Sequence, residues 1–309
     1  GKFAAGIGSS LQGKVSVIIE GNSTIGKATG GAYAAGIGGG RQGIGDVTIK
    51  DNAQINESVG GNGGAGIGSG VYGDVTVNIE GNATVDKATG GEEGAGIGGG
   101  ALGTGDVTIE GNVTIENAQG GAGAAGIGGG SNAKTKDDGT GNRIVIRSNK
   151  DGSPTINATG GVPEVDDDGN AISAGGAAIG SGASLPDKNG NIAPEADADI
   201  TIEGKVTIDA KAGERNAAIG ANNTEQTFNG LQVGTTITRR NAKGDDVSQP
   251  GDVVREPEKP EPEKPEPEKP AQPTVTPTET EGAEAPSTGS VEVERPVTVE
   301  GLYVTNVLG

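Results

Sequence analysis

Carboxylates are the only abundant side chains in this sequence that could do acid–base or metal chemistry, because its 309 residues include no His and no Cys. A Ser-His-Asp or Cys-His nucleophile is therefore excluded, and so is a thiolate-bound metal. The acids of interest fall in two settings. Glu20, Glu80 and Glu110 recur at one position of a repeat, with Lys50 in the same column. A strand end beside a Gly-Asn corner suits solvated side chains better than the paired acids of a glycosidase. The second setting is a pair of Asp/Asn-Gly loops, where Asp166, Asp168, Asp187 and Asn189 are the candidate calcium ligands. Calcium takes roughly six to eight oxygens, and neither loop ends in the bidentate Glu of an EF-hand. Asp-Gly and Asn-Gly are also strong hairpin-turn signals, so turn chemistry is the competing reading. No other cofactor is expected.

The elements that would position these residues follow from a repeat. Ile7, Ile37, Ile67, Ile97 and Ile127 each sit in an Ala-Gly-Ile-Gly head, 30 residues apart, and Ile179 and Ile219 continue the series after insertions. A fixed period of this kind marks a repeat architecture. Each period reads as three short strands: the head, a Val-x-Ile strand (Val47/Ile49, Val77/Ile79) and a third strand carrying Ile25, Ile55, Val85 and Ile115. Inward residues two apart are what the pleat of a strand requires. Asn22, Asn52, Asn82 and Asn112 form a column at the corner between the second and third strands. Asn tolerates left-handed backbone and can bond to its own stacked copies.

With 62 Gly and only five aromatic residues, a core of large side chains is not available. Small inward residues suffice if each coil covers its neighbour. The expected fold is all-β: a right-handed parallel β-helix of about seven three-strand coils, roughly 34 Å long at the usual strand spacing. Residues 1–240 would form it, with polar insertions after Asn132 looped out at corners, the Asn ladder ending at Lys205, and Phe228, Leu231 and Val233 capping the last coil.

The Gly-Ala-Gly-Ile-Gly-Gly-Gly and Gly-Asp-Val-Thr-Ile-Glu-Gly-Asn segments resemble the Gly-rich repeats of surface proteins from gut Gram-positive bacteria. That resemblance covers about residues 1–240. It implies the pectin-lyase-like right-handed β-helix, in which an Asn ladder at a turn is a shared feature, and an adhesin-like or carbohydrate-binding role at the cell surface.

Residues 241–290 read as a linker, with Glu-Pro-Glu-Lys-Pro repeats followed by a Thr/Pro/Glu-rich run. Such a segment favours polyproline II and at about 3.1 Å per residue could span on the order of 110 Å. Ala285-Pro286-Ser287-Thr288-Gly289 is similar to the sortase signal Leu-Pro-x-Thr-Gly but has Ala in place of Leu. Residues 291–309 alternate like strands and read as the start of a truncated module. The chain begins inside a repeat, as a piece of a longer protein would.

A formal charge of −19 excludes general electrostatic binding to nucleic acid or anionic membrane, and no membrane-inserting run is present. The expectation is a non-enzymatic extracellular module, a rigid solenoid on a wall-spanning spacer, with a glycan or protein as ligand. The alternative is a polysaccharide lyase or glycoside hydrolase using carboxylates and calcium near the insertions. Tyr33 and Tyr72 occupy different repeat positions, so no regular sugar-stacking platform is expected from them. The Gly residues flanking each head Ile, such as Gly36, Gly66 and Gly96, would form a flat outward stripe. Either a neighbouring segment covers it or a second copy packs laterally against it.

Overall fold

The computed structural model describes residues 1–133, 142–163, 165–166, 168, 171–184, 198–221 and 223–257. Among these residues there is no helix, and the strands lie in three sheets whose neighbours are parallel and one coil apart, except for a short antiparallel pair at the end of the first. This stacking is consistent with a β-solenoid. Asp187, Asn189, the rest of the linker after 257 and the 291–309 segment lie outside the described residues.

The head strands build the first sheet. Ile7 pairs with Ile37, Ile37 with Ile67, Ile67 with Ile97 and Ile97 with Ile127. Ile127 then pairs with Ile179 and Ile179 with Ile219, so the register resumes beyond the insertions. The second sheet stacks the Val-x-Ile strands, Val17 on Val47, Val47 on Val77, Val77 on Val107 and Val107 on Ile144. A Thr-rich column runs through the third sheet as Thr24, Gln54, Thr84, Thr114, Thr155, Thr207 and Thr236.

Inward positions are as the alternation requires. Ile37, Ile67, Ile97, Val47, Ile49, Ile55 and Val85 are all fully buried in one core. Each such Ile or Val contributes roughly 1.5–3 kcal/mol by leaving water. The first coil is less covered, and Ile7, Val17 and Ile25 are only partly buried.

The glycine stripe is not a surface. Gly36, Gly66 and Gly96 are buried, and a Cβ at Gly66 would sit 2.6 Å from the Gly96 carbonyl oxygen and 2.8 Å from the Thr89 backbone nitrogen. The chain's own strands therefore cover the stripe, and it offers no face to a second copy. Gly is required there because the approach is backbone to backbone.

The far end also differs from its sequence reading. Phe228 and Leu231 pack against the core, whereas Val233 stays 48% exposed. Residues assigned to the linker from 241 onward instead fold back on the last strand, Thr236–Arg240, with bridges from Arg240 to Asp246 and Thr236 to Val253. Their anchor is Arg239, a fully buried side chain. Its guanidinium donates to Asp252 through Nε at 2.8 Å and Nη2 at 2.9 Å, and to Glu225 through Nη1 at 2.7 Å. Glu225 also accepts from the backbone nitrogens of Ala218 and Ile219, fixing the short antiparallel strand that ends the first sheet.

Candidate functional site

The columns foreseen as structural behave as ladders. Asn52 donates to Asn22 at 2.9 Å, Asn82 to Asn52 at 3.2 Å and Asn112 to Asn82 at 3.2 Å. This ladder ends one coil earlier than Lys205. At the next corner a turn bridging Asn149 and Gly152 sits over Asn112, and Asn149 donates its amide to Glu110. Three acids of the Glu column, Glu20, Glu110 and Glu203, lie against cations. Lys50 meets Glu20 at 3.0 Å, and Arg147 lies 2.6 Å from Glu110 and 4.0 Å from Glu203.

These contacts set the acid response. Hydrogen bonds from Asn149 and then Arg147 hold the Glu110 carboxyl below its ordinary value of 4.5, and a bond from Lys27 does the same for Glu57. A depressed carboxyl contributes its full stability above the unfolded value and loses it as pH falls through the folded one. Thermal melting should therefore be flat from neutral pH down to the ordinary Glu range and fall below it. Glu110→Gln should make that acid slope shallower, which melting curves in a pH series would show.

Of the candidate calcium residues only Asp166 and Asp168 are among those described, and they lie together in a turn. Asp168 donates its backbone N–H to the Asp166 carboxylate at 3.0 Å, inside a hairpin closed by a Val165–Ala171 bridge. This is turn chemistry. Among the described residues no group of three or more acids is placed to hold a metal.

That hairpin does shape a recess. A groove of about 960 Å³ runs along the end of the third sheet. Its floor is a column of stacked residues, Thr89 beside Gln119, Gln119 beside Thr159 and Thr159 beside Lys211. Glu92 and Glu214 stand at its edges, and Val162, Pro163 and Val165 of the insertion overhang it. Val162 is 69% exposed. Sequence reasoning pointed to the insertions but not to this floor, whose members lie just before a Gly-Gly corner, or before Ala212-Gly213 in the case of Lys211. The strand pairing brings them into line.

A second cluster was missed. The Phe3 and Tyr33 rings stack with centroids 5.7 Å apart, and the Arg41 guanidinium lies 5.9 Å from the centroids of Phe3, Tyr33 and Tyr72. The loops before and after each head strand abut one another, with Val71 N–H donating to the Tyr33 carbonyl at 3.1 Å and Arg41 N–H to that of Phe3 at 3.2 Å. Tyr33 and Tyr72 thus flank the same guanidinium although they belong to different columns. The 30-residue period alone could not show it.

Comparison with protein-family models, with curated proteins and with solved structures finds no match to this chain. Among the described residues no helix is long and apolar enough to cross a membrane.

Proposed function

We propose that this chain is a non-enzymatic binding module, a right-handed parallel β-helix of about seven coils displayed outside the cell, whose groove under the 162–171 hairpin takes a glycan. The observation that carries this reading is the groove floor. The Gln119 amide, the Thr159 hydroxyl and the Lys211 ammonium follow one another there at one strand spacing, which suits an extended polymer with repeated polar groups. A hydrophobic overhang from the insertion completes a recess that is polar below and apolar above.

The surface role, the Gram-positive origin and the wall-spanning spacer rest on the resemblance of the repeats and the Pro/Glu composition of the tail. The lyase or hydrolase alternative has less support. Glu20 and Glu110 face cations, and Asp166 is engaged within its own turn.

A glycan array, with and without calcium, tests the proposal against a groove-blocking variant. The protein should retain one or a few glycans without cleaving them, and Gln119→Trp should abolish retention with melting unchanged. Equal retention by Gln119→Trp, or release of shortened products, would contradict it.

A further inference from the structure

The Arg41 cluster lies on loops that do not line the groove, and its chemistry is different. In a chain of charge −19, the first 45 residues carry Lys2, Lys14, Lys27 and Arg41 against Glu20 alone. Arg147 pairs with Glu110, Arg239 with Glu225 and Asp252, and Arg240 with Asp209. Arg41 is placed differently. Among the described residues the neighbours of its guanidinium are three aromatic rings.

The backbone points to the same place. Gln12, Gln42, Tyr72, Leu102 and Asn132 occupy one column with φ of 55°, 57°, 57°, 57° and 52°. A side chain in this left-handed region costs roughly 1–2 kcal/mol that Gly would not. Yet a chain with 62 Gly residues keeps a side chain at this corner in five successive repeats. The column holds Gln12 and Gln42 joined by a 3.3 Å amide bond, next to Arg41 and Tyr72, and all of these except the half-buried Arg41 are exposed. Each residue of the column donates its backbone N–H to the next coil, so the corner belongs to the repeat, and in the first three coils it presents Gln12, Gln42 and Tyr72 outward beside Arg41.

From these features we infer that Phe3, Tyr33, Tyr72 and Arg41 form a binding site for a carboxylate-bearing sugar. The rings offer flat faces for the C–H side of a pyranose. Arg41 supplies a fork for the carboxylate, and ring neighbours exclude water from one side of that ion pair. The Gln12 and Gln42 amides lie in reach of ring hydroxyls. A neutral sugar would leave the guanidinium unmatched. A phosphorylated ligand would not need the rings.

Titration calorimetry at low salt with the full chain decides it. The probe is a hexasaccharide of alternating glucuronate and N-acetylglucosamine, and the control is the same compound with its carboxylates methyl-esterified. The acid form should bind, and esterification should weaken binding about tenfold or more. Arg41→Gln and Tyr33→Ala should each cost about tenfold with unchanged melting temperature, whereas Gln119→Trp in the groove should cost nothing. The Gln119→Trp arm separates this site from the groove, so either proposal can fail alone.

Absence of binding by the acid form, equal binding of the ester, or unchanged binding by both variants would overturn the inference. So would an Arg41-dependent affinity for an acidic peptide in the absence of hexasaccharide binding, since the ligand would then be a protein. A large fall in melting temperature in both variants without any ligand binding would make the cluster a packing device, which also overturns it.

Discussion

Arg239→Met should destabilise the last coils by about 3–5 kcal/mol, because removing one partner of a buried ion network leaves the others charged and unmatched. Asp252 is nearly as buried as Arg239, with 5% of its side chain exposed, and Glu225 has 22% exposed. Methionine would fill much of the space but donates no hydrogen bond to either carboxylate. The loss should begin at the C-terminal end, since each coil contacts only its neighbours. Hydrogen exchange should quicken at Ile208, Ala210 and Ile237 while the amides of Ile67 and Ile97 stay protected. Asp252→Ala should resemble it, because residues 241–254 are then released from the last strand. A variant that melts within 1–2 °C of the parent, about what 0.5 kcal/mol gives a domain of this size, would show that the cap is not held by this triad.

The second large effect comes from the smallest change. A Cβ at Gly121 would lie 1.6 Å from the Gly91 carbonyl oxygen, and no flexible side chain stands between the two backbones. Gly121→Ala should therefore cost about 3 kcal/mol or more, since the strands themselves must part. At Gly26 nothing lies within 4 Å of the added carbon. Gly26→Ala should be neutral or stabilise by about 0.4–1 kcal/mol through a less free unfolded chain. Denaturant titration of the two variants side by side checks the contrast. Similar midpoints would mean that the glycine columns are not close-packed as described.

The regular part of the fold was readable because its signal is repeated. Five isoleucines at an equal spacing, with alternating Val and Ile beyond them, leave one stacking register that puts the head isoleucines and the Val-x-Ile pairs inside. The Asn ladder was legible for the same reason. What escaped the sequence is whatever depends on contacts between columns. The head glycines look outward by simple alternation, yet the strand Ala88–Thr89 and its equivalents lie over them. Tyr33 and Tyr72 share Arg41 because loops on either side of the head abut across a repeat boundary. Arg239 resembles any exposed Arg in a Thr-Arg-Arg strand end, and only the return of Asp252 makes it a core residue. The groove floor was hidden likewise, since Thr, Gln, Thr and Lys share no residue type by which a column could be noticed.

The groove and the Arg41 cluster both rest on strands stacked in one continuous register, and a distance between two spin labels tests that register most directly. The chain has no native Cys, so Thr24→Cys and Thr207→Cys would be the only labelling sites. Both are exposed, and five successive pairings connect them. At about 4.8 Å per strand the backbones should be about 24 Å apart. A narrow distance distribution centred near that value, within the reach of the label arms, is the expected result. A broad distribution, or one centred beyond about 40 Å, would contradict the stacked register.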